Sequence, residues 1–167
     1  VYKLTAMRGA DGTWTPRVKV SEQAAKTTTP GILQVRRYAA EPGPDGRRPD
    51  GNGTRSAHAG DMILDELEPP SPGGPATMVD PLDPTRRKRF AADAPYRELL
   101  EPVFRDGARV RPPAPLPEAR DRARRELAAF HDGVKRFVNP HRYPVGLERG
   151  LYERKTALVL AARGLAG

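Results

Sequence analysis

The stretch LPEARDRARRELAAFHDGVKRF, residues 116–137, decides the fold class, because there a chain of short strands and turns gives way to helix. Pro117 suits the first helical turn, where its missing N–H costs nothing, and Glu118 and Asp121 follow near the positive end of the helix dipole. Leu116, Ala119, Ala123, Leu127, Phe130, Val134 and Phe137 recur every three or four residues, the spacing of one helical face. Gly133 weakens the last turn. A final helix is expected in LERGLYERKTALVLAARGL (147–165), with Leu147, Leu151, Leu158, Ala162 and Leu165 on one face.

Upstream the pattern is different. VYKLTAMRGADGTWTPRVKV (1–20) reads as two strands around the turn chemistry of GADG: the first runs from Val1 or Tyr2 to Met7, the second through TWTPRVKV. ILQVRRYA (32–39) is a third strand after the Pro30-Gly31 turn. EPGPDGRRPDGNGTRSAHAG (41–60) is too polar and too broken to pack. DMILDELE (61–68) is a strand stopped by PPSPGGP, and YRELLEPVFRDGARV (96–110) is a hairpin with Asp106-Gly107 at its turn. No internal repeat is visible. The expected fold is therefore α+β: short antiparallel strands and hairpins followed by C-terminal helices. Four segments result: strands over 1–40, a flexible Pro/Gly-rich insert over 41–60, short strands and a hairpin over 61–110, and a helical region over 111–167.

Length allows one ordinary domain. Nineteen prolines and sixteen glycines interrupt the hydrophobic pattern, so part of the chain is loop. No apolar run reaches the length of a membrane span, and no charged-then-apolar leader is visible at the start. Beginning in mid-strand pattern, the chain looks like a piece of a longer protein. The absence of cysteine excludes a disulfide framework and thiolate zinc, which fits a cytoplasmic location. The net charge of +8 is unevenly placed. Residues 1–40 carry seven Lys/Arg against two acids and residues 41–80 carry three against eight, so a basic first segment precedes an acidic insert. That balance says only that anionic partners are favoured.

Candidate chemistry is sparse. His58, His131 and His141 have no cysteine neighbour or spaced carboxylate, so metal and triad roles are not expected, and no catalytic residue is assigned. No glycine-rich phosphate loop is present. RRKRF (86–90) is the densest basic run, yet only Phe90 accompanies it, and a solvated loop explains it better than nucleic-acid contact. The remaining stretch is KVSEQAAKTTTPG (19–31), which gathers lysines, hydroxyls and a tight turn. Lysine is a mobile point charge suited to phosphate oxygens, and hydroxyls and turn N–H groups are donors that can join it. On the residues alone, an ordinary basic surface and an anion cradle both remain open. A free-standing nucleic-acid module and an interaction scaffold using the two helical faces also remain.

A resemblance bears on that choice. VYKL, VKVSEQAAKTTTPGILQVRR, AGDMILDE, LLEPVFRDGARV, PLPEARDRARREL and NPHRYPVGLERGLYERKTAL, in that order, resemble the region after the barrel in nicotinate phosphoribosyltransferases. The likeness runs over nearly the whole chain apart from residues 41–58. It implies an enzyme that makes nicotinate mononucleotide from nicotinate and phosphoribosyl pyrophosphate, with ATP hydrolysis and Mg2+. It further implies a homodimer, no membrane and no nucleic acid. This chain would be the C-terminal part, packed on a type II phosphoribosyltransferase barrel that would precede Val1, and inactive alone, binding no cofactor of its own. By the same resemblance Lys3, Lys19 and Lys26, with Ser21, face ATP or pyrophosphate, the edge serving a site at the dimer interface. Leu33 stands where the family has a lysine, which removes a charge, whereas Arg37 keeps the arginine that closes the motif.

Overall fold

The computed structural model describes residues 3–23, 26–43 and 56–165. Of the Pro/Gly-rich insert, residues 44–55 lie outside the described residues, as do Val1 and Tyr2 of the expected first strand. The chain forms two compact units, one of Val1–Arg36, Asp61–Ala94 and Val145–Gly167, the other of Arg37–Gly60 and Pro95–Pro144.

In the first unit, strands β1 (Ala6–Arg8) and β2 (Trp14–Pro16) pair antiparallel, with Met7 opposite Thr15. Both are shorter than the sequence pattern predicts, so Lys3 precedes β1 and Lys19 follows β2 instead of lying on them. The Thr5 carbonyl accepts the N–H of Arg17 at 2.7 Å, in the register of the ladder, and also that of Gly31 at 2.8 Å, so the Pro30-Gly31 turn meets the pair where the strands end.

The main sheet contains β3 (Leu33–Ala39), β4 (His58–Asp65), β5 (Ala76–Val79), β6 (Arg87–Phe90) and a late strand. That strand is β10 (Val145–Glu148), which lies parallel to β4 and antiparallel to β5, giving the order β6-β5-β10-β4-β3. The sequence places Leu147 on a helical face. Here it is a strand residue opposite Ile63 and Val79, 2 % exposed, because Gly146 and Leu147 insert between two apolar strands. The helix α3 (Arg149–Ala162) starts one residue after β10, capped by the Glu148 carboxylate, which accepts the Leu151 N–H at 3.0 Å. It packs on β5 and β10, and Leu151 joins Met62, Leu64, Met78, Val79, Phe90 and Leu147 in the core.

The run RRKRF is not the solvated loop expected from its charge. Arg87–Phe90 pair with β5 at the rim of the sheet, Phe90 opposite Ala76 and buried, Arg87 and Arg89 exposed. Alternation carries the fold here, and charge on a rim strand discourages pairing with another chain.

The second unit holds β7 (Tyr96–Glu98), the pair β8 (Phe104–Arg105) and β9 (Ala108–Arg109), and the helices α1 (Leu116–Ala128) and α2 (Asp132–Lys135). The expected hairpin of 96–110 contracts to β8–β9. Asp106 and Gly107 have φ of 50° and 77°, both left-handed, as a two-residue type I′ turn demands. Within this unit Ala39 donates its N–H to the Pro95 carbonyl at 2.9 Å, and Tyr38 tilts on Tyr96 with ring centroids 5.4 Å apart.

The long helix of 116–137 is broken. It stops at Ala128, His131 turns extended with ψ of 140°, and its side chain accepts the Gly133 N–H, so a four-residue helix restarts there. His131-Asp132-Gly133 thus acts as a cap, which apolar spacing alone overlooks. The predicted apolar stripe is not buried: no residue of α1 is, Leu116 and Leu127 are exposed, and so is Phe137. No helix of the described residues is long and apolar enough to cross a membrane.

Candidate functional site

The loop between β2 and β3 folds back on itself by hydrogen bonds that its own sequence supplies. The Lys19 N–H donates to the Thr28 hydroxyl at 2.7 Å while the Thr28 N–H returns to the Lys19 carbonyl at 3.1 Å. Ser21 does the same less tightly: its N–H meets the Thr27 hydroxyl at 3.3 Å, and that hydroxyl donates to the Ser21 carbonyl at 3.4 Å. Threonine is the residue type that can serve a backbone donor and acceptor together, so TTTPG is the loop's internal scaffold.

Three sequence-predicted residues, Lys19, Ser21 and Lys26, lie on this loop, and Lys3 reaches it from before β1. The Lys3 Nζ reaches the Lys26 carbonyl at 3.5 Å, and Lys3, Lys19 and Lys26 are all exposed. Ser21 is half-buried with its backbone engaged, and its hydroxyl donates to no described residue. Among the described residues, none of these three lysines forms an ion pair with a carboxylate. Leu33 is half-buried in β3 and adds no charge.

Two further cations join them, Lys155 on α3 and Arg163 at its C-cap. The Lys155 Nζ donates to the Thr29 hydroxyl at 3.1 Å, and Arg163 reaches the Ser21 carbonyl at 3.4 Å. Burial, and then the neighbouring Lys3 charge, hold the Lys155 ammonium below its ordinary pKa. A signal for Lys155 exists in the sequence: it lies four residues after Leu151, hence on the face that packs inward.

Beneath the turn lies an anchor of opposite sign. The Asp65 carboxylate, 2 % exposed, accepts the N–H of Ile32 at 3.0 Å and of Leu67 at 3.1 Å, and Arg154 bonds it at 3.2 Å. Arg154 also reaches Glu68 at 2.6 Å. The arginine is therefore matched by acids, whereas the next residue, Lys155, is not.

In the second unit Glu126 receives Arg37 at 3.1 Å and also Arg97. The Arg97 hydrogen bond holds its carboxyl below the ordinary value, with the charges of Arg97 and Arg37 adding to it. Arg37, the closing arginine of the strand motif, also lies 5.2 Å over the Phe130 ring. Its role within this unit is packing and pairing. His58 is not in a loop but on β4, edge-on to Phe130 at 5.3 Å, and His131 stacks on His141 at 5.4 Å. An open groove of about 610 Å³ in this unit is lined by Arg109, Arg111, Arg122, Glu101 and Glu118, charges of both signs. Among the described residues no group of three or more histidines and acids is placed to hold a metal ion.

The loop, α3 and its C-cap Arg163 together offer ammonium and guanidinium groups and hydroxyls, and among the described residues no acid is paired to the lysines. Groups of these types are the ones that suit an oxyanion. A family model described as the nicotinate phosphoribosyltransferase C-terminal domain matches residues 51–155. The crystal structure of human nicotinic acid phosphoribosyltransferase is similar at a TM-score of 0.60 and 23% identity, over 78% of this chain and 23% of that one. That likeness establishes the fold, and the chain spans less than a quarter of that protein's length. No curated protein matches the chain by sequence.

Proposed function

The chain belongs to the nicotinate phosphoribosyltransferase C-terminal domain family, and from that premise we propose that it is the C-terminal part of an enzyme that forms nicotinate mononucleotide from nicotinate and phosphoribosyl pyrophosphate with ATP hydrolysis. In this reading the reacting groups lie in a barrel outside these residues. The chain contributes a polyphosphate-facing edge of Lys3, Lys19, Lys26 and Ser21, lent to a site at a homodimer interface in the cytoplasm.

The observation that carries the reading is one self-braced loop that holds Lys19, Ser21 and Lys26 and that Lys3 reaches, with no carboxylate paired to these lysines among the described residues. A lysine ammonium unmatched by acid stays available to ligand oxygens, where a charge-assisted bond is about twice as strong as a neutral one. ATP and Mg2+ belong to the whole enzyme. The basic run, which together with the net charge of +8 motivates a nucleic-acid module, is a rim strand.

The 167-residue chain assayed with nicotinate, phosphoribosyl pyrophosphate and ATP is expected to form no mononucleotide above background. The intact enzyme is expected to form it with an ATP-dependent rate. Robust turnover by the short chain would overturn the division of labour, and an intact enzyme inactive on nicotinate would overturn the assignment.

A further inference from the structure

Lys155 and Arg154 are neighbours on α3 with opposite circumstances. Arg154 is neutralised by Asp65 and Glu68, and its position is accounted for by the anchor of the Pro30-Gly31 turn. Lys155 is half-buried and bonded to one hydroxyl, and the Lys3 charge opposes its own. Among the described residues no carboxylate answers it. Placing an ammonium partly out of water within the influence of a second ammonium is unfavourable on both counts, and the Thr29 hydroxyl supplies a hydrogen bond but no opposite charge. An arrangement of this kind lowers stability unless something anionic completes it.

We infer that Lys155, with the Thr29 hydroxyl and the Lys3 ammonium, is the innermost cation of the anion site, and that its ligand is a chain of phosphates. The inference rests on the polyphosphate reading above and extends it to α3. The ligand class follows from charge. Lys3, Lys155 and Arg163 are each hydrogen-bonded to the loop that carries Lys19 and Lys26, and one phosphate carries only about two negative charges. A linked di- or triphosphate supplies more charge to answer five cations. The Thr29 hydroxyl, braced by Lys155 on one side, has its proton free to reach an oxygen of the same ligand.

The test is calorimetric titration of the intact protein with inorganic tripolyphosphate at fixed ionic strength, beside the melting temperature of each variant. Lys155→Met keeps the length and apolar stem and removes only the charge. It is expected to weaken tripolyphosphate about tenfold or more, the loss of one charge-assisted bond, with a melting temperature unchanged or raised. Thr29→Val is expected to weaken binding severalfold, and Lys88→Ala to leave it unchanged. A structural lysine would show the reverse: a lowered melting temperature with binding intact, and that result overturns the inference. Wild-type affinity in Lys155→Met alongside weakened binding in Lys19→Ala also overturns it, leaving the loop's role standing. Wild-type affinity in both variants removes the polyphosphate reading itself. Should Lys155→Met fail to fold, Thr29→Val decides, and wild-type binding there counts against the site.

Discussion

Replacement of Asp65 by alanine is expected to destabilise the first unit by about 3 kcal/mol or more, the scale for breaking a buried charged hydrogen-bond set. The carboxylate is 2 % exposed and answers two backbone N–H groups and Arg154 at once. Alanine leaves the Ile32 and Leu67 donors without their acceptor, while Arg154 keeps Glu68, which limits the loss. The change should appear as a lower denaturation midpoint and as faster amide exchange at Ile32 and Leu67. Asp65→Asn retains an acceptor and should lose roughly half as much. Unchanged exchange at both amides would mean that the anchor does not hold the turn.

The second large effect is Gly31→Ala, one step along the chain from that anchor. Gly31 sits at φ of 109°, a backbone region that L side chains rarely adopt, and its missing Cβ would lie 2.3 Å from the Asp65 Oδ2 and 2.4 Å from its Cγ. The carboxylate is pinned by its three donors and cannot retreat without releasing them. Backbone strain of about 1–3 kcal/mol and overpacking of a similar size add to a loss of about 3 kcal/mol or more. Because the overlap is with Asp65 itself, the two changes should not be additive. In an Asp65→Ala background, Gly31→Ala should cost only the backbone strain, which a double-mutant cycle measures directly. Full additivity would contradict the contact.

How far the sequence discloses this molecule depends on which interaction decides each element. The Asp106-Gly107 turn is legible because its chemistry is confined to two residues. The strand LQVRRYA and the body of the final helix are legible from their periods of two and 3.6. Leu147 is misread because β10 exists only through its neighbours β4 and β5, a tertiary requirement that its own apolar spacing hides. The basic run at 87–90 is misread for a related reason: pairing with β5 overrides a composition that reads as solvated. At the candidate site the loop's lysines are found through a family likeness, and TTTPG shows how the loop is held, since the Thr27 and Thr28 hydroxyls brace its backbone. Lys155 lay within reach of periodicity, as a lysine on the face that Leu151 buries. Its nearness to Lys3 and Thr29 joins residues more than a hundred positions apart, which no local pattern encodes.

The central claim is that the stretch from Lys19 to Gly31 faces polyphosphate. Its most direct test is the ATP dependence of mononucleotide formation by the intact enzyme carrying Lys19→Ala, beside the same enzyme carrying Lys88→Ala. Lys19 is exposed in a loop whose fold is held by backbone and hydroxyl bonds, so its side chain can be removed with little structural cost. Loss of one bond to a charged oxygen, about 1.5–3 kcal/mol, corresponds to an apparent ATP or pyrophosphate constant raised roughly tenfold to a hundredfold. Nicotinate dependence should change much less, and Lys88→Ala, which removes the same charge from the rim strand β6, should behave as wild type. An ATP constant unchanged in both variants would contradict the account and leave the stretch a polar edge.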